Sequence, residues 1–368
     1  MNILCFSHLR WNFVYQRPQH LMSRFAKTGT VYFIEEPVFD APWTFLNASK
    51  AANADVTILV PHVQAGIDVN DQLRSMLEDF LKATNVNEYV AWYYSPMALP
   101  FTDTLSPSII VYDCMDELAG FKFAPPDIKE REAQLFKMAD VVFTGGYTLF
   151  EAKKNCHDYI FPFPSSIDKD HFLQARAKQT EPEDQQNIPH PRLGFYGVLD
   201  ERLDLQLIAE IARLRPEWHI VLIGPVIKID ADTLPQAQNI HYLGGKEYTE
   251  LPLYLSGWDI AIMPFALNES TKYISPTKTP EYLSGGKPVI STPISDVVND
   301  YGSSGLVSIA ETAEQFVIKA ELLLASTNTE EWLSDVDQHM LHMSWDNTWQ
   351  HMSSHMENAI AKKQVFNP

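Results

Sequence analysis

Short apolar runs rich in β-branched and aromatic residues recur along the first half of the chain, at 2–7, 31–34, 56–59, 89–93, 109–112, 141–144 and 159–161. Helical periodicity separates several of them. Residues 18–27 place Leu21, Met22 and Phe25 on one face, and 71–83 and 128–138 read the same way. Residues 173–191 then break the pattern: QARAKQTEPEDQQNIPHP is polar and proline-containing, with almost no apolar periodicity, and reads as a linker. The alternation resumes with strands at 193–196, 219–223, 240–242, 260–263 and 289–291. Helices are expected at 205–214, 251–256, 279–284, 313–325 and 330–362. Buried strands alternating with helices predict an α/β fold, with a parallel, doubly wound sheet in each half. Ligands bind such sheets beyond the carboxyl ends of the strands.

A length of 368 residues suits two such domains. Lys plus Arg number 28 and Asp plus Glu 47, a net charge of −19. That surface argues against a general nucleic-acid binder and against broad adhesion to anionic lipid, while leaving room for a local peripheral contact with a membrane. Cys5, Cys114 and Cys156 are odd in number and far apart, which suggests neither a disulfide framework nor a zinc knuckle. The first residues, MNILCFSHLRW, do not read as a signal peptide, and no run approaches the ~18 apolar residues of a membrane span. A cytoplasmic protein is expected, with peripheral docking at the inner membrane face left open.

The densest chemical signal is SPTKTPEYLSGGKPVIST at 275–292. Pro276 and Thr277 precede a helix whose first turn would begin near Thr279. Its free N–H groups and dipole would favour an anion, and Lys278 adds a full charge there. Glu281 follows one turn along the same face, where a carboxylate can accept hydrogen bonds from ribose hydroxyls. Gly285 and Gly286 end the helix. Read from spacing alone, Lys278 and Glu281 serve equally well as a solvated i,i+3 ion pair.

The run 276–288 resembles the donor-site motif of GT-B glycosyltransferases, especially glycosyltransferase family four, with its Glu–hydrophobic–small–Gly–Lys–Pro–Val pattern before a buried strand. The resemblance implies two Rossmann-like domains facing an interdomain cleft. The acceptor domain would span 1–172, the linker 173–191 and the donor domain 192–343. The terminal helix, 344–368, would open near Trp345 and cross back onto the first domain. It implies a ribose role for Glu281 and a diphosphate role for Lys278, beside Pro276 and Thr277. The glutamate that many members carry eight positions earlier is Tyr273 here. LGFYGVLDERLD at 193–204 resembles the family's first donor-domain strand and glycine loop, with Gly197 approaching the diphosphate and Arg202 supplying charge. IHYLGG at 240–245 resembles the segment edging the base, through Leu243 and Gly244. HLRWNFVYQRPQHL and PTKTPEYLSGGKPV resemble teichuronic-acid-type transferases in particular. The implied activity is transfer from a nucleoside-diphosphate sugar, such as a UDP-sugar, to a glycan or lipid-linked acceptor in cell-surface polysaccharide synthesis. A nucleotide-sugar epimerase and a non-catalytic carbohydrate-binding protein are the alternatives.

In the first half, VYDCMDE at 111–117 sets Asp113 and Asp116 just after a strand. Asp116 is the candidate general base, or else a helix cap. Gln16, Arg17 and His20 follow the first strand and are candidate acceptor contacts, Arg17 for a phosphate. No metal or other cofactor is expected: the Asp230–Asp232 triplet lies in a loop, and His339, His342, His351 and His355 read as a surface or domain-contact stripe. Gly145-Gly146 reads as a turn.

Overall fold

The structure, a computed structural model, describes residues 1–177, 179–326 and 329–366. The chain forms two compact units. The first holds Met1–Ala119, Phe123–Pro164 and the helix from Trp345, and the second holds Gly120–Lys122 with Ser165–Ser344.

The first unit is built on strands β1 (Asn2–Phe6), β2 (Thr30–Ile34), β3 (Val38–Ala41), β4 (Phe45–Lys50), β5 (Val56–Gln64), β6 (Val90–Tyr93), β7 (Ile109–Cys114), β8 (Val141–Thr144) and β9 (Ile160–Pro162). Their order is β3-β5-β2-β1-β6-β7-β8-β9, with β4 antiparallel on β5 and the other pairings parallel. The strand order reverses between β1 and β6, which makes the carboxyl ends of those two strands the topological switch point. Cys5, Phe33, Trp92 and Phe143 form the core with Leu21, Met22 and Phe25 of the helix Arg17–Phe25. Trp345, Met352 and Met356 of the helix Trp345–Phe366 close the same core.

The second unit carries β10 (Arg192–Tyr196), β11 (His219–Ile223), β12 (Ile240–Tyr242), β13 (Ile260–Met263), β14 (Val289–Ser291) and β15 (Val307–Ile309). The order is β12-β11-β10-β13-β14-β15, parallel throughout, and the switch point falls between β10 and β13. Small residues make its layers fit: a Cβ on Gly194 would sit 1.9 Å from the Trp258 ring.

Three sequence expectations change. Residues 173–191 are not a free linker, because the chain passes between units at Pro164–Ser165 and the polar stretch is anchored within the second. Gln185 donates to the Tyr254 carbonyl at 3.0 Å and accepts from Trp258 Nε1 at 2.9 Å. Arg192, buried at the start of β10, pairs with Glu181 at 2.5 Å. Within that stretch Lys178 lies outside the described residues, as do the last two positions of the expected terminal helix. The continuous helix expected over 330–362 is two helices, Thr329–His339 and Trp345–Phe366. Strands β3, β4 and β15 were not legible as strands.

Candidate functional site

In the second unit three strands end in glycines at adjoining levels. Gly197 N donates to the Ile223 carbonyl at 2.8 Å, and Gly224 N donates to the Gly244 carbonyl at 2.8 Å. Gly197 (φ +144) and Gly224 (φ +146) hold backbone conformations that an L side chain rarely adopts. A Cβ on Gly224 would lie 1.8 Å from the Gly197 carbonyl oxygen, and one on Gly197 would lie 2.3 Å from Lys278 Cε. The glycines thus let the Lys278 stem lie flat across the end of β10, with Nζ 5.5 Å from the centre of the Phe195 ring. Leu243 is half-buried and Gly244 exposed beside this shelf.

Lys278 opens the helix Lys278–Ser284, and Glu281 sits one turn along it. Pro276 and Thr277 lead into it, both half-buried. Burial lowers the Lys278 ammonium below its ordinary range, helped by the charge of Arg202 and opposed by Glu281 and Asp200. Burial likewise raises the Glu281 carboxyl, against the pull of Lys278 and of a hydrogen bond from Tyr196. Tyr196, the last residue of β10, donates through its hydroxyl to Glu281 Oε2 at 2.8 Å. Arg202 is oriented by Asp200, accepting from Nε at 2.9 Å and from Nη2 at 2.6 Å. Two cations and a fixed carboxylate therefore share the carboxyl edge at the switch point. Tyr196 and Asp200 were missed although both lie within the 193–204 run, because each acts through a neighbour, Glu281 or Arg202, rather than on a ligand.

The first unit departs more from expectation. Arg17 does not face solvent. It is 4% exposed, against 0% for Asp113, to whose carboxylate Nε and Nη2 donate at 3.0 and 2.8 Å. Its Nη1 donates to the Phe163 carbonyl at 2.7 Å. Burial works against the Arg17 charge, but Asp113 more than restores it. His20 is also buried, its ring stacked on Trp345 at 4.7 Å and edge-on to Tyr15. Gln16 caps the same helix, its N–H donating to Gln19 Oε1 at 3.1 Å. The Arg17 and His20 side chains therefore build the unit and have no open face for an acceptor, while Gln16 is half-buried at the helix start.

Asp116 is half-buried just past β7, and its charge acts on Arg17. The loop it occupies is fixed by Lys153, which pairs with Glu117 and Glu132 at 2.7 Å each. A cavity of about 330 Å³ opens at the switch point of this sheet, lined among others by Phe6, Ser7 and Ser95. Its residues are scattered over the first hundred positions, so no local pattern announced it.

Among the described residues no group of three or more His, Cys, Asp or Glu is arranged to hold a metal. Asp230 instead caps a short turn through Asp232 N. His355 stacks on Phe161 at 3.7 Å. Among the described residues no helix is long and apolar enough to cross a membrane.

Residues 190–326 match the family model described as Glycosyl transferases group 1. TuaH of Bacillus subtilis (strain 168), described as a teichuronic acid biosynthesis glycosyltransferase, is 24% identical over 238 residues, which is 60% of this chain and 60% of that protein. The match thus spans less than two thirds of the curated relative's length. The sucrose-phosphate synthase of Thermosynechococcus elongatus superposes with a TM-score of 0.70 at 12% identity, covering 98% of this chain and 99% of that one. The catalytic domain of starch synthase IV from Arabidopsis thaliana, bound to ADP and acarbose, superposes with a TM-score of 0.66 at 10% identity, covering 98% and 99%. Two Rossmann-like units of this topology give the chain the GT-B fold, and residues 190–326, most of its second unit, are similar to the group 1 glycosyl transferases.

Proposed function

We propose that the chain transfers a glycosyl group from a nucleoside-diphosphate sugar, held by the second unit, to a hydroxyl of a glycan or lipid-linked acceptor. The observation that carries this reading is the Lys278 side chain laid across Gly197 beside Arg202, with Glu281 one turn away. Lys278 and Arg202 stabilise the diphosphate as the bond to the anomeric carbon breaks and its electron pair passes to the leaving oxygen. Glu281, held by Tyr196 through one oxygen, accepts from the ribose hydroxyls through the other. Leu243 and Gly244 edge the base, and Pro276 and Thr277 border the phosphates. The acceptor oxygen bonds to the anomeric carbon and gives its proton to Asp116. The ADP and acarbose bound to the starch synthase neighbour support a nucleotide and a glycan as ligands, and the name of the Bacillus relative supports a role in cell-surface polysaccharide synthesis.

The test is release of nucleoside diphosphate from a panel of nucleotide sugars, with and without acceptor, in the presence of chelator. Acceptor-dependent release that survives the chelator is expected. Epimerised donor without transfer would overturn the reading, and activity restored only by added manganese or magnesium would overturn its metal-free form. Asp116→Asn should lower kcat by about 10²–10⁴-fold while leaving nucleotide affinity nearly unchanged. Near-normal turnover would assign the proton to the leaving phosphate instead.

Gly197→Ala is a second check, because the added methyl would displace the Lys278 stem. Calorimetry should show nucleoside-diphosphate affinity falling about tenfold or more, the worth of one charge-assisted contact. Unchanged affinity would mean that the glycine shelf does not position Lys278. Cytoplasmic location with docking at a membrane surface belongs to the same reading and is supported by the exposed Trp43 and Phe45 of the first unit. Co-sedimentation with phospholipid vesicles that is undiminished in Trp43→Ser would remove that support.

A further inference from the structure

The cavity of the first unit lies beyond the carboxyl ends of β1 and β6, where the strand order reverses. That is the position at which an open α/β sheet takes its ligand. Phe6, Ser7 and His8 enter it from β1, and Ser95, Met97 and Ala98 from the segment after β6. Its volume, about 330 Å³, is at the small end of ligand pockets, room for a compact ligand rather than a long chain. The walls are apolar and aromatic, through Phe6, Ile34, Leu73, Met97 and Phe101, and Phe39 stands at the margin 65% exposed. Hydroxyl and carboxylate oxygens complete it, from Ser7, Ser95, Glu35 and Glu36.

The charge balance decides the ligand class. No lysine or arginine is among the lining residues. The nearby Arg10 is committed to Glu35 at 2.9 Å and to the Glu36 carbonyl at 2.7 Å. His8 is the one lining side chain able to carry positive charge, and it shares the lining with the carboxylates of Glu35 and Glu36. Whatever its protonation, the ionisable groups sum to zero or less. A phosphate here would meet the carboxylates of Glu35 and Glu36 with no cation beyond His8 and the already committed Arg10 to offset it, a like-charge contact in a partly desolvated site. A pyranose instead offers an apolar ring face to the aromatic walls and hydroxyl hydrogens to the oxygens.

We infer that this cavity binds an uncharged glycosyl unit of the acceptor and rejects sugar phosphates. The inference rests on the glycosyl-transfer reading. Any phosphate of a lipid-linked acceptor stays outside the cavity.

The test is saturation-transfer NMR on the full chain at pH 8. The probes are methyl glycosides of glucose, galactose, mannose, N-acetylglucosamine and N-acetylgalactosamine, beside the 6-phosphates of the same sugars, with UDP, ADP and GDP titrated into the same samples. At least one neutral glycoside should bind, with the phosphates weaker by about tenfold or more. Val69→Trp, which fills the cavity from the start of the helix Val69–Thr84, should abolish that signal while nucleotide binding persists. Asn70→Arg, which adds a cation to the lining, should let the phosphates in. A wild type that binds a sugar phosphate as well as its neutral counterpart overturns the inference. So does nucleotide binding without any glycoside signal, or a glycoside signal that survives Val69→Trp. Loss of all nucleotide binding in the wild type would instead count against the donor site.

Discussion

Replacing Asp113 by alanine is expected to destabilise the first unit by about 3–5 kcal/mol, because it strands the Arg17 guanidinium in the interior. The pair is fully enclosed, and the Arg17 bond to the Phe163 carbonyl cannot neutralise the charge that remains. Removing both charges avoids that penalty, so Arg17→Met with Asp113→Leu should recover most of the loss. Urea unfolding of the three proteins, followed by a probe in the first unit, checks this. A single variant within about 1 kcal/mol of wild type would mean that the pair is solvated in solution, as surface pairs of that worth are. The consequence reaches function, because Asp113 is the penultimate residue of β7 and Asp116 lies in the loop that follows. The pair fixes where that loop begins.

Lys278→Ala is expected to weaken a nucleoside diphosphate by roughly ten- to a hundredfold, the worth of a charge-assisted hydrogen bond of ~1.5–3 kcal/mol. The corresponding monophosphate should lose less. Glu281→Ala should weaken both nucleotides alike, since it addresses the ribose. Lys278→Ala should also slow turnover, because negative charge grows on the leaving diphosphate in the transition state. The half-buried setting of Lys278 adds a pH signature. The Lys278 pKa is lowered in the free protein, and an arriving diphosphate raises it again. Between that lowered value and the ordinary lysine value of about 10.4, the free side chain has given up part of its proton and the complex takes it back. Diphosphate binding should therefore be accompanied by proton uptake on the alkaline side of neutrality, and the uptake should vanish in Lys278→Ala. Calorimetry in buffers of different ionisation enthalpy measures it. Equal proton uptake in wild type and variant would place the diphosphate elsewhere.

Much of this molecule was legible before its structure, and the exceptions share a cause. Buried central strands announce themselves by continuous apolar runs, so 141–144, 219–223 and 260–263 coincide with β8, β11 and β13. β3 and β4 do not, because they lie toward one edge of the sheet with most side chains exposed and carry Asp40, Asn47 and Lys50. The polar stretch at 173–191 looked like a linker because the partners of Gln185 and Arg192 that make it structural are side chains and carbonyls rather than an apolar face. The same blindness misplaced Arg17 and His20. Polar residues at a helix start read as exposed, yet the partner of Arg17 lies 96 positions on, and His20 stacks on a tryptophan from the last helix. In the second unit, Lys278 and Glu281 stand together because one motif carries both, a single turn apart on the same helix. The Tyr196 hydroxyl that fixes Glu281 comes from a different element, and only the parallel order of the sheet brings it there.

The second unit is expected to hold a nucleoside diphosphate on Lys278 and Arg202. The most direct test is calorimetric titration of UDP, ADP and GDP, with chelator present, into the wild-type chain and into Lys278→Ala combined with Arg202→Ala. At least one of the three should bind the wild type, and the double variant, still folded by circular dichroism, should bind it at least about a hundredfold more weakly. A wild type that binds none of the three, or a double variant that binds as tightly as the wild type, would contradict that expectation.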